Sequence, residues 1–520
     1  MKSNTMKRML ASMLVAGVSV SMFAGCGSQA ASQPASNDSA DTKSEAKEET
    51  KTEEATTDTA SGDVVNINVT RASFNVATPD SDQVKKVEAA INDYIKDKIN
   101  VQITLNDIGS GEYTDKANLA LANKEINLLW TASWESVIGT NDLVPKNAVY
   151  DLTDLLPGTP LYGSMDEGQW EATKYNGKNY FVPVYKDNVE GYDFMFRKDL
   201  VDKYGWDTTS VKTLADLEPM LADAKSEGIK YPFLTQKTAL FYRWYVDKFD
   251  FFTGDVKGNF VSVDRNKNEV VDTILTPEYE EFCTLMGKWG DAGYVSEDEV
   301  TKTTTDTTTQ TKDWAISWWT DIPVNEEANS RYGQEVVMQP ATGRWAHSTS
   351  ALGSCYCVTS NSTPEQAQAC VDFLGLLYTD SKLADMYTFG IEGEDFTYEN
   401  GKVNQTSEKY NHSMWESANA TIVTPLTNEP DNKADLYKDF NGGATTSCAA
   451  GFRFDKTPVD AQYTACQNVH DTYGFPLENG GIPASDVKAT IEQYQKALDE
   501  AGYQDVLAEF QKQYNDWKAK

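Results

Sequence analysis

Tyr175-Asn176-Gly177-Lys178-Asn179-Tyr180-Phe181-Val182-Pro183-Val184-Tyr185-Lys186-Asp187 is the stretch on which the architecture turns. Asn-Gly accepts the positive φ that a two-residue turn demands, so Tyr175–Lys178 is predicted to close a tight hairpin. The run Tyr180–Tyr185 is β-branched and aromatic, as a strand requires. Pro183 has no N–H to give to a ladder, which keeps that strand out of the middle of a sheet.

Upstream, Val65, Ile67 and Val69 alternate, as do Val101, Ile103 and Leu105, and both patterns predict strands. Between them Val84, Val87, Ile91 and Tyr94 recur at helical spacing over Ser81–Lys98. A second helix, about Tyr113–Asn123, precedes a short strand at Ile126–Trp130. Strand, helix, strand, helix, strand predicts a parallel sheet with right-handed crossovers. Such sheets bind ligands at the carboxyl ends of their strands, where Trp130-Thr131-Ala132-Ser133-Trp134-Glu135 falls.

The chain has 520 residues, room for two or three domains with a substantial core. Its formal charge of −33 argues against nucleic acid and against an anionic membrane surface as partner. The 12 Trp and 26 Tyr suit a core, and they also suit stacking on sugar rings. At the start, Lys2, Lys7 and Arg8 precede the apolar run Met9–Phe23, too short for a resident membrane helix. Its end, Phe23-Ala24-Gly25-Cys26, looks like a bacterial lipobox, which implies a signal peptide over residues 1–25 and lipidation of Cys26. Two acyl chains on that Cys would anchor stably where one anchors only marginally. Gly27–Gly62 is rich in Ser, Ala, Thr, Glu and Lys and cannot bury enough surface to fold. Residues 26–62 therefore read as a tether with an end-to-end distance on the order of 30–35 Å.

Downstream, Thr213-Leu214-Ala215-Asp216 predicts a helix start close to a capping box. Asp264-Arg265-Asn266-Lys267-Asn268 has oxygen ligands at alternate positions, but Glu269 and Leu275 stand where a calcium loop needs Gly and Glu, so it reads as a hairpin turn. Trp318 and Trp319 are adjacent on a strand and must face opposite sides, one to the core and one outward. Glu335–Gln339 reads as a strand and Ala341–Ser350 as a crossover. Thr363-Pro364 starts a helix with a good N-cap and Pro at its first position.

Several of these stretches, in this order, resemble extracellular solute-binding proteins of ABC importers. Tyr-Asn-Gly-Lys followed by a Pro-containing strand resembles their crossover from one lobe to the other. Phe194-Met195-Phe196-Arg197-Lys198-Asp199-Leu200 resembles their first strand and helix of lobe two. Phe389-Gly390-Ile391-Glu392-Gly393 and Gly451-Phe452-Arg453-Phe454-Asp455-Lys456-Thr457-Pro458-Val459 resemble the LplA-like sugar-binding lipoproteins, which carry a C-terminal domain of unknown function. The resemblance implies an α/β, two-lobed, type II periplasmic-binding-protein-like fold with the ligand cleft between lobes. Lobe one would span 63–185 and return over 346–395. Lobe two would span 186–345, with a helical C-terminal region, 396–520, packed on it.

The same resemblance implies an oligosaccharide or other carbohydrate as ligand, with peptide or another small polar solute as the alternative. It places contacts at Ser133 and Trp134 after the third strand, and at Tyr185, Lys186 and Asp187 in the first crossover. Lobe two would add Tyr242, Trp318 and Trp319, and the second crossover Arg344 and Trp345. The partners would be the permease subunits of an ABC importer and, through the anchor, the outer face of the cytoplasmic membrane. The protein would act as a monomer without cofactor or metal.

An enzyme is disfavoured. There are 3 His, and no HExxH, GxSxG or P-loop pattern. A glycoside hydrolase needs two carboxylates, and candidates such as Glu392, Glu394 and Asp395 carry no mark of a catalytic pair. A surface polysaccharide adhesin shares the same features. Cys355 and Cys357 lie two apart on a strand, a weak metal signal without a second pair.

Overall fold

The computed structural model describes residues 63–519 apart from 176, 237–239, 253–258, 302–309, 325–327, 330, 331 and 348. Cys26, the signal peptide, the tether and Asn176 of the hairpin lie outside the described residues.

The first sheet runs Val101–Gly109, Val65–Ser73, Leu128–Thr131, Cys355–Val358, Phe181–Pro183. The first three are parallel, and the last two are antiparallel to their neighbours. Ser81–Ile95 and Ser110–Ala122 are the crossover helices. Asp80 caps the former by accepting from the backbone N–H of Asp82 and Gln83, and Val84, Val87, Ile91 and Ile95 form its buried stripe. Phe181–Pro183 takes the sheet edge, as Pro183 requires. Before it, Tyr175 and Lys178 exchange both backbone hydrogen bonds (2.8 and 3.1 Å), and Gly177 supplies φ +81°.

The second sheet runs Val336–Pro340, Tyr192–Arg197, Trp314–Thr320, Tyr231–Phe233 and is mixed. Asp264 turns the hairpin between Val261–Asp264 and Glu269–Asp272, its Oδ1 accepting from the N–H of Asn266 and Lys267 at 3.0 Å each. The expected hairpin thus forms where a calcium loop was set aside.

Each sheet carries its own apolar core. One joins the first sheet and its helices to Ala367–Leu377, Leu383 and Tyr387; the other joins Phe194, Phe196 and Trp289 to Tyr494 and Phe510 near the C-terminus. Residues 396–520 do not pack on lobe two as one unit, contrary to the sequence expectation. Phe396, Val403, Tyr410, Met414 and Tyr437 are buried in the core of lobe one, and only from Ala449 does the chain join the core of lobe two. The large apolar side chains of 396–437 fit the helix Ser381–Phe389, which belongs to lobe one; Phe389 and Phe396 meet edge to face at 6.0 Å.

Three crossings lie side by side between the cores. Glu190 and Trp345 exchange both backbone hydrogen bonds at 2.8 Å, and Trp345-Ala346 pairs in parallel with Thr445-Thr446. Gly191 keeps this approach relaxed: a Cβ would stand 3.1 Å from the Gly343 carbonyl oxygen, tighter than an ordinary contact. A ribbon of three short strands is thin enough to flex, which suits hinge closure of two rigid lobes.

Candidate functional site

A cavity of about 350 Å³ opens between the lobes, small on the scale of ligand pockets. Lobe one contributes Trp134, Glu135 and Ser136, from the loop after Leu128–Thr131. The opposite wall is Thr464, Gln467, Asn468 and Asp471, on the helix Asp460–Glu478. These four recur at helical spacing, while Tyr463, Cys466 and His470 on the other face are buried against lobe two. The cavity therefore has one aromatic wall and one wall of amides, a hydroxyl and a carboxyl.

Trp134 is 46% exposed, the largest aromatic ring so placed. Its indole N–H donates to the Gly353 carbonyl (2.7 Å), which fixes the ring plane. Trp130, fully buried, supports it edge to face at 5.9 Å, and Phe74 does so at 6.0 Å. Burial raises the Glu135 carboxyl above its usual range, partly offset by the Thr114 hydroxyl donating to it at 2.8 Å. Ser133 is buried under the loop, its hydroxyl donating to the Thr349 carbonyl (2.9 Å), so it shapes the loop and not the cavity.

The crossovers gather a second set of expected residues. Lys186 pairs with Asp187 at 2.9 Å, and Arg344 pairs with Asp321 at 2.5 Å while lying over the Phe440 ring. Asp193, buried beside them, is pushed up to about 8 by desolvation and by the charge of Asp321, against the pull of Arg344. Trp345 donates to Asp247 (2.7 Å) and lies under the Arg265 guanidinium. None of these lines the cavity against Trp134.

Tyr185 and Trp318 were expected to face ligand, and the structure places both in cores, each 6% exposed. Tyr185 sits in the core of lobe one, two residues past the strand Phe181–Pro183, where the Ala420 N–H of the 418–420 segment donates to its carbonyl. Trp318 donates to the Thr235 carbonyl (3.0 Å) and is capped by the Arg243 guanidinium at 3.8 Å. Trp319 points to the other side of the sheet, half-buried against Tyr332. Tyr242 donates to Glu190, not to a cleft.

Sequence reasoning missed Glu190 and His347. In the hinge, Glu190 is buried and accepts from Tyr192 (2.6 Å) and Tyr242, with His347 against its other oxygen. Burial acts to raise its pKa, but the His347 ring and the two tyrosine hydroxyls outweigh it and bring it down to about 2. A carboxyl lowered from 4.5 contributes stability above that pH and loses it as pH falls toward 2. Glu190→Gln should therefore cost about 1–3 kcal/mol near neutrality, with the difference from the parent shrinking below pH 4. An unfolding series showing equal stability at pH 7 would contradict this role.

Among the described residues, no three His, Cys, Asp or Glu side chains are grouped to hold a metal, and no helix is long and apolar enough to cross a membrane. Cys283, Cys355, Cys357, Cys370 and Cys466 are buried free thiols and Cys448 is an exposed one.

Comparison with known proteins bears on the family and the fold. The family model described as bacterial extracellular solute-binding protein matches residues 89–392, and a domain of unknown function, DUF3502, matches 448–519. A carbohydrate ABC transporter substrate-binding protein of Streptococcus pneumoniae serotype 4 is 25% identical over 450 residues, 84% of this chain and 88% of the relative. The N-glycan transport solute binding protein NgtS from Streptococcus pneumoniae superposes with a TM-score of 0.74 at 22% identity, over 87% of this chain and 98% of that one. An HMO binding ABC-transporter associated solute binding protein from Bifidobacterium longum infantis does so at 0.59 and 16%, over 87% and 99%. With a family match across more than half of its length, on a fold of two lobes joined by a three-crossing hinge, this chain belongs to the bacterial extracellular solute-binding proteins.

Proposed function

We propose that this protein is the receptor of an ABC importer for an oligosaccharide, captured between Trp134 and the polar face of the helix Asp460–Glu478. The observation that carries the reading is the exposed Trp134 ring opposite Gln467, Asn468 and Asp471 across one interlobe cavity. A pyranose presents an apolar C–H face to an aromatic ring and hydroxyls at its edge to amides and carboxylates, and this cavity offers both. The described relatives, named for carbohydrate, N-glycan and HMO, support the same class. Lobe closure about the 190–191, 343–346 and 445–446 ribbon would then present a closed receptor to the permease. Cys26 would carry the lipid that holds a monomeric receptor at the outer face of the membrane. The ligand would leave unaltered, as fits a member of the solute-binding family.

A thermal-shift screen of residues 63–520 against oligosaccharides, monosaccharides, peptides and amino acids tests this. Ligand at a hundred times its Kd adds about 2.7 kcal/mol, a readable rise in melting point. A shift with one glycan class, recovered intact, is the expected result. A shift only with peptides or amino acids would move the ligand class, and recovery of cleaved glycan would turn the reading toward a hydrolase.

A further inference from the structure

We infer that the aromatic wall continues on lobe one beyond Trp134, across Phe74 to Trp415, and forms a second sugar subsite rimmed by Asn75 and Asn411. The inference rests on the carbohydrate reading above and adds to it that the ligand spans more sugar units than the cavity holds.

The rings form one cluster, their planes crossing at 51–71°. Phe74 lies 6.0 Å from Trp134 and 4.8 Å from Trp415, while buried Trp130 underlies all three at 5.9, 5.5 and 6.3 Å. Phe74 follows the carboxyl end of Val65–Ser73, and Trp130 lies in Leu128–Thr131, so the platform stands where an open parallel sheet presents ligands. Phe74 and Trp415 are half-buried, neither sunk in the core nor fully exposed.

Polar groups border that cluster. The Asn75 side-chain amide donates to Asn411 Oδ1 (3.1 Å) and to Ser413 Oγ (3.0 Å), and Gln405 donates to the same Asn411 oxygen (2.9 Å). Asn75 is exposed, so its amide can turn toward hydroxyls arriving from solvent. Aromatic faces flanked by side-chain amides are what a pyranose needs, whereas a protein partner would call for a larger unbroken apolar patch.

The structure holds Trp415 firmly. It sits on the turn Met414–Glu416, where Ser413 and Glu416 form a capping box with the Ser413 N–H donating to Glu416 at 2.7 Å. One residue earlier, His412 binds Asp107 at 2.9 Å, and Asp107 pairs with Arg71 at 2.7 Å. This buried bracket ties an otherwise long connection to the ends of two sheet strands. Rigid presentation of an aromatic ring is a way to bind at low entropic cost.

Calorimetric titration of the parent, Trp415→Ala and Asn75→Ala with disaccharide, trisaccharide and hexasaccharide members of gluco- and manno-oligosaccharide series tests the subsite. Trp415→Ala is expected to weaken the hexasaccharide about tenfold, the size of an ordinary aromatic hot spot, and to leave the disaccharide within about twofold. Asn75→Ala, at an exposed position, is expected to shift the same way by a smaller factor. Equal effects on short and long ligands, or none on either, in both variants would overturn the subsite while leaving the cavity reading in place. Failure of the parent to bind any glycan would overturn both.

Discussion

Replacing Asp107 by Ala is expected to cost about 3–5 kcal/mol of stability, the penalty for stranding buried charges once their partner is removed. Arg71 is fully buried, and the Asp107 and His412 side chains are 1% and 2% exposed. Arg71 also donates to the Tyr387 carbonyl (2.7 Å) and meets the Tyr410 hydroxyl, so it cannot swing out to water when Asp107 is lost. Burial opposes ionisation of Asp107, but Arg71 and His412 outweigh it and hold the carboxyl well below 3.8. Its contribution is therefore complete above pH 4 and fades as pH falls toward the folded value. For His412 burial and Arg71 act downward, yet Asp107, helped by Glu416, prevails and the pKa ends above 6.5. That contribution is complete below pH 6.5 and fades as pH rises through the folded value. The parent should exceed Asp107→Ala by most between roughly pH 4 and 6.5. Urea unfolding of both proteins across pH 4–9 checks this. A loss under about 1 kcal/mol at pH 6 would mean that the network is not a single bracket.

Trp134→Ala is expected to have the opposite profile, a large effect on binding and a small one on the fold. A ring 46% exposed loses little burial when truncated, so stability should move by about 1 kcal/mol or less. As the aromatic wall of the cavity it should act as a hot spot, costing roughly 2 kcal/mol, about thirtyfold in Kd. Trp134→Phe should recover part of that, since a ring remains. Titration with the best glycan from the screen reads both. An unchanged Kd in Trp134→Ala would place the ligand elsewhere in the cleft.

Much of the fold was legible because its signals are local. Gly177 supplies the turn's positive φ, Pro183 specifies an edge, and the stripe Val84, Val87, Ile91 needs no knowledge of its partner. The alternation of Trp318 and Trp319 was equally plain, yet nothing local showed that each side of that sheet packs into an apolar cluster of its own. The packing of Tyr185 was hidden for a related reason. An aromatic at a crossover looks the same whether it meets ligand or the returning 418–420 segment, which lies more than two hundred residues away. The lobe assignment of 396–437 was hidden because its apolar residues are too sparse to name the core they join. The polar face of Asp460–Glu478 was present in the spacing of Thr464, Gln467 and Asp471, but any exposed helix face looks like that until a tryptophan is found opposite it.

A crystal structure with the best-bound glycan is the measurement to make. A sugar ring lying flat on Trp134, with hydroxyls in hydrogen-bond reach of Gln467, Asn468 or Asp471 and the lobes rotated about the Glu190–Trp345–Thr445 ribbon, is the expected result. Glycan bound away from the cavity, with Trp134 still open to solvent, would contradict it.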